Sequence, residues 1–160
     1  METESKQEER TVFPISVFGL EEDVKLFWEV YSCNGTLALQ LNCKPAEEDE
    51  AMFRRGMDNT DEVYIEPFGI VTVNLPESEF MPANVQFVDT NNLPGIDRWL
   101  MENKIAEPTG VIARSGYCAY QAFKFNAPKE ALQKVADRKS ELRVNEAPLL
   151  RPKSSRPTIK

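Results

Sequence analysis

NVQFVDTNNLPGIDRWL, residues 84–100, changes its period part-way along, and that change decides the fold class. Up to Asp89 it reads as a short apolar strand. From Leu93 onward the apolar residues recur at helical spacing, so that Leu93, Ile96, Trp99 and Leu100 share one face. Pro94 suits a first helical turn, where its missing N–H costs nothing. Asn91 or Asn92 is then the expected N-cap, its side-chain oxygen accepting a bond from an unpaired helical amide. Asp89 closes the strand and is expected to form an Asx-turn. A strand that feeds a helix in this way points to a mixed domain, and the flanking sequence says which kind.

Upstream, DVKLFWEVY and GTLALQLNC both alternate. Leu26, Trp28 and Val30 fall on one face of the first, and Leu37, Leu39 and Leu41 on one face of the second. Asn34-Gly35 lies between them, and both residues tolerate positive φ, which predicts an antiparallel hairpin. TVFPISVFG is a further short strand, with Pro14 marking it as an edge. The acidic run Glu47–Glu50 lies in residues 44–62, which read as a surface insertion between paired strands. IVTVNLP and NVQFVD supply more strand. Downstream, Tyr117–Asn126 alternates, after a Ser115-Gly116 turn or bulge. APKEALQKVADRKSELRV reads as a second helix, with Pro128 in its first turn and Ala131, Leu132, Val135 and Ala136 on its apolar face.

The sum is an α+β fold: a single domain with an antiparallel sheet of about six strands and two helices. Residues 1–10 read as a disordered acidic arm, 11–140 as the domain, and 141–160 as a flexible basic, proline-rich tail.

Composition narrows the chemistry. The chain of 160 residues has no histidine and three cysteines, Cys33, Cys43 and Cys118, without CxxC spacing. The absence of histidine removes the usual general base, the Cys–His and Ser–His pairs and the commonest metal ligand. No metal and no cofactor is expected. GVIARSG lacks the lysine of a phosphate loop. Cys118 has only Arg114 as a cation nearby in sequence, and a thiol without such help is expected to be inert. Net charge is −7, with 16 acidic and 6 basic side chains in residues 1–66. An acidic surface disfavours direct nucleic-acid binding and suits docking on a basic protein groove. No apolar run approaches the ~20 residues of a membrane helix, and METESKQEER does not read as a secretory signal, so the expected location is the cytoplasm.

Three segments carry a resemblance: NGTLALQLNC (34–43), GIVTVNLPES through FVDTNNLPGIDRWLMENKIAEPTG (69–110), and RSGYCAYQAFKF (114–125). In their order they resemble an uncharacterised family of small proteins encoded on bacterial plasmids, conjugative elements and phages. The resemblance spans roughly residues 17–126. It implies a cytoplasmic protein carried by a mobile element, and it supplies no activity, substrate or catalytic residue.

Two groups of residues are expected to bind. If the sheet brings strand ends together, Asp89, Asn91, Asn92, Ser115, Tyr117 and Tyr120 form one polar and aromatic rim suited to a polar ligand or peptide. Phe53, Arg54 and Arg55, beside the acidic run, are the expected interface anchors. The leading expectation is a non-catalytic protein-binding accessory factor that docks on a host or element-encoded protein and inhibits a defence or nucleic-acid-processing machine through an acidic surface. One alternative is a small histidine-independent enzyme with a site near Asp89, Tyr117 and Cys118. The other is a nucleic-acid-associated factor using the basic C-terminal tail.

Overall fold

A computed structural model describes residues 11–45 and 64–154, with 145–154 described by backbone alone. Phe53, Arg54, Arg55 and the acidic run Glu47–Glu50 lie outside the described residues.

The sheet reading holds in kind but not in number. In place of one sheet of about six strands there are two antiparallel sheets of four strands each. The first has the order β1 (Phe13–Val17), β2 (Leu20–Val30), β3 (Leu37–Cys43) and β4 (Glu66–Ile70). The second has the order β5 (Thr72–Val73), β6 (Val85–Val88), β8 (Cys118–Phe125) and β7 (Ala106–Ser115). The helices are α1 (Ile96–Glu102) and α2 (Lys129–Ser154).

The break between sheets falls at one residue. Val71 separates β4 from β5; its N–H donates to Leu39 O at 2.9 Å, and its carbonyl accepts from Asp89 N at 2.8 Å. One backbone unit therefore bonds to β3 on one side and to the end of β6 on the other. A strand that changes sheets at such a corner can alternate throughout, so its sequence does not reveal the switch.

Binary pattern explains the faces. Val24, Leu26, Trp28 and Val30 pair directly with Cys43, Leu41, Leu39 and Leu37, so both strands turn the same apolar set inward. That face meets Val88, Phe123 and Phe125 of the second sheet, Ile96 and Leu100 of α1, and Ala131 and Val135 of α2. The opposite face of the second sheet carries a smaller core of Leu75, Val85, Phe87, Ala113 and Ala122. With apolar packing on both faces, all four residues of β6 are buried, the polar Gln86 included. Gln86 is satisfied there: Nε2 donates to Leu37 O at 2.9 Å, and Oε1 accepts from Ser78 Oγ at 2.6 Å and Phe87 N at 2.9 Å. It ties both sheets to the 3₁₀ turn Pro76–Phe80, and a buried amide without those partners would cost about 1–3 kcal/mol.

Both helices dock on the first sheet. Trp99 Nε1 donates to Pro14 O at 2.7 Å, and its ring meets Phe13 edge-on at 6.1 Å. From α2, Lys134 Nζ donates to Trp28 O at 3.1 Å and Arg138 Nε to Ser32 O at 3.0 Å. The helix extends past residue 140, through Pro148 and Pro152, into the stretch whose composition predicts a flexible tail. Glu141, Leu142 and Arg143 are good helix formers, and Arg138 pairs with Glu141 at 2.9 Å, which carries the helical backbone onward.

The sheet edges share a device. β1 carries Pro14, β4 carries Pro67, β7 carries Pro108, and the remaining edge strand, β5, is two residues long. Proline removes a donor from an edge, and a short edge offers little to pair with.

Candidate functional site

β1 and β2 pair through Val17↔Leu20, which leaves a two-residue turn, Phe18-Gly19. Both residues have positive φ, 56° and 80°. A two-residue hairpin asks for this, because the mirror-image turns match the twist of the strands. Gly19 meets the demand freely, while Phe18 pays for it: an L-residue in the left-handed region costs about 1–2 kcal/mol. Burial does not repay the strain, since Phe18 is 75% exposed and Leu20 beside it 62% exposed. The next three residues, Glu21, Glu22 and Asp23, are also exposed. Together with Glu102 and Arg98 of α1 they line an open depression of about 710 Å³.

A larger groove, about 1110 Å³, runs from this hairpin along β4 and β5. Its mouth holds Phe18, Leu20 and the exposed Ile70. Its polar lining includes Tyr31, Thr72, Asp89 and Asn92. The Tyr31 hydroxyl lies 3.0 Å from Thr72 Oγ1 and donates to Thr72 O at 3.1 Å. Burial raises the Tyr31 hydroxyl above its ordinary value; the Thr72 bond opposes this, and the charges of Asp89 and Cys33 add to it. Asp89 is 9% exposed. Its Oδ1 accepts from Asn92 N at 3.0 Å and its Oδ2 from Asn92 Nδ2 at 2.7 Å.

The residues expected from sequence separate into three sets. Asp89 closes a turn, as an Asx-turn requires, but neither Asn91 nor Asn92 caps α1. The N-cap is Gly95 at φ 86°, without a side-chain cap. Pro94 and Gly95 add a further turn, closed by Ile96 N to Leu93 O at 3.0 Å, so the helix starts later than the asparagines. Asn92 is instead spent on Asp89. Tyr120 packs against the smaller core and does not line the groove; its hydroxyl is raised first by hydrogen bonding to Cys118, then by burial and the charges of Cys118 and Asp89. Ser115 and Tyr117 stand apart at the exposed β7–β8 turn, where Tyr117 is fully exposed, and Tyr117 and Cys118 do not line the groove. Sequence reasoning missed Phe18, Leu20, Ile70, Tyr31 and Thr72. The available signal was Val17-Phe18-Gly19-Leu20, four residues in which a hairpin turn hides because its first position is aromatic.

Among the described residues, no group of three cysteine or carboxylate side chains is placed to hold a metal ion, and no helix is long and apolar enough to cross a membrane.

Fold and site together define a small two-sheet α+β domain with a groove beside the strand that joins its sheets. A family model, Domain of unknown function (DUF4313), matches residues 39–145, and the chain belongs to that family. The match begins within β3, so the Phe18 hairpin and all of β2 lie outside it. No curated protein and no solved structure matches the chain.

Proposed function

We propose that this protein is a non-catalytic, protein-binding accessory factor of a bacterial mobile element, acting in the host cytoplasm, and that it meets its partner with the Phe18 hairpin. The observation that carries this reading is Phe18 itself: a bulky residue at φ 56°, three-quarters exposed, in a turn that asparagine or glycine would make without strain. Strain held at a surface without packing in return is expected where a side chain is needed for contact. An exposed aromatic anchor with polar surroundings is also how interface hot spots are built. Glu21, Glu22 and Asp23 place negative charge directly behind it. Proline at three edges argues that association uses side chains and not strand addition.

The acidic flank supports a specific form of this reading, in which the protein imitates nucleic-acid charge and blocks a host defence or nucleic-acid-processing protein. Charge of this kind speeds encounter, and the on-rate falls with salt. Affinity capture from host lysate, followed by mass spectrometry, tests the proposal. A captured protein should be lost with Phe18→Ala and should bind more slowly to a Glu21→Lys, Asp23→Lys variant. An unchanged capture profile across these variants, or no capture at any salt concentration, would refute it.

A further inference from the structure

We propose that the 1110 Å³ groove is a docking site for a partner-protein segment that presents a lysine or arginine next to an apolar side chain. This rests on the protein-binding reading above and adds the chemistry of the partner.

Three features fix that chemistry. The mouth is apolar, with Phe18, Leu20 and Ile70 exposed around it. Among the described residues the charged lining is of one sign: Glu22 and Asp89 line the groove, and no lysine or arginine does. Asp89 also retains acceptor capacity. A carboxylate has roughly four acceptor sites, and the bonds from Asn92 N and Nδ2 occupy two of them. Asp89 is 91% buried with no ion pair to a cation among the described residues. An incoming cation would meet a charge of opposite sign and could donate to the acceptor sites that Asn92 leaves open. Charge complementarity therefore selects a basic group, and the apolar mouth selects a hydrophobic neighbour beside it. A macromolecular segment fits better than a small organic cation. The groove is open and exceeds the ~300–1000 Å³ of small-molecule sites, and its rim carries the aromatic side chain that anchors interfaces. A second copy of this chain, net charge −7, would meet like charge.

The probe is a displayed library of random dodecapeptides selected against the immobilised full chain. Enriched clones should carry Lys or Arg beside Leu, Phe or Trp. A synthetic peptide from the selection should shift amide resonances of residues 17–22, 68–74 and 89–93. Asp89→Asn should weaken it roughly tenfold and the exposed Glu22→Gln by about threefold. Glu22→Gln leaves the core untouched, so the result stands even where Asp89→Asn perturbs folding. Enriched clones without basic residues, no enrichment over bare support, or shifts elsewhere on the molecule would overturn the assignment. So would spermidine reproducing the same shifts at equal charge, or sedimentation showing that the chain fills the groove by dimerising. If lysate capture depends on Phe18 but not on Asp89, Glu22 or salt, the groove chemistry fails while the hairpin reading survives. If nothing is captured but the basic peptides bind as expected, the reverse holds.

Discussion

Two turns of the first sheet solve the same problem with opposite consequences. The β2–β3 turn contains Asn34-Gly35, and nearly every polar group in it is used by the fold. Thr36 N donates to Asn34 Oδ1 at 3.2 Å, and Asn34 Nδ2 donates to Asn74 Oδ1 at 3.0 Å, which ties the turn to the chain leaving β5. Gly35 N donates to Tyr31 O at 2.6 Å, and Lys139 of α2 packs directly on the glycine. The β1–β2 turn has Phe18-Gly19, with open space around Gly19 and an exposed ring beside it. One turn follows local preference and is consumed by structure. The other breaks local preference, and the fold gains nothing visible from it. Sites of the second sort are where a sequence is shaped by something other than stability.

The contrast breaks most sharply at the two glycines. Gly35→Ala should destabilise the protein by about 3 kcal/mol, from left-handed strain and overpacking together. Its new Cβ would lie 2.9 Å from Lys139 Cγ and 3.1 Å from Lys139 N, at φ 75°. Gly19→Ala meets nothing within 4 Å, so only the strain remains, about 1 kcal/mol. Urea denaturation of both variants measures the difference, which isolates the seating of α2 on the hairpin. Equal losses would mean that α2 yields at no cost.

These turns also mark how far the sequence could be read. Asn34-Gly35 between two alternating runs gives the hairpin directly, because the turn chemistry and the strand pattern agree. Phe18-Gly19 gives no such signal: an aromatic residue at the first turn position reads as strand, and the exposed Glu21–Asp23 hides where β2 begins. The two-sheet architecture was equally hidden. A strand that changes sheets at Val71 has no composition of its own, and β6, buried on both faces, does not alternate in burial. Asp89 could be located from sequence as a strand end, but its bond to Asn92 and its place in the groove follow from the path of β4 and β5, which local pattern does not encode.

Phe18→Asn sharpens the contrast by making the odd turn conform. Asparagine enters the left-handed region several-fold more readily than other non-glycine residues, and little burial is lost with a ring that is 75% exposed. Stability should rise by about 0.5–1 kcal/mol, measured as a higher urea midpoint, while partner capture falls. Stability and binding moving in opposite directions is what distinguishes a contact residue from a packing one. A variant that loses stability would show that the ring serves the fold.

The smallest effect is expected at Tyr31, the residue that opens the conforming turn. Tyr31→Phe removes the bond to Thr72, yet Thr72 Oγ1 keeps a partner in Leu39 N at 3.2 Å, so the loss at neutral pH should be only about 0.5 kcal/mol. Its pH dependence carries more information. The Tyr31 hydroxyl is held above its ordinary value of 10.0, chiefly by burial. As pH rises past 10 the unfolded chain therefore releases this proton before the folded one does, and stability falls with pH. The advantage of the wild type over Tyr31→Phe should be constant below pH 9, where the hydroxyl is protonated in both states. Above pH 10 unfolded Tyr31 ionises while the folded hydroxyl keeps its proton, so the advantage should shrink as pH rises. Paired urea titrations from pH 7 to 11 measure this, and parallel curves for the two proteins would mean that Tyr31 is not held neutral by the turn it anchors.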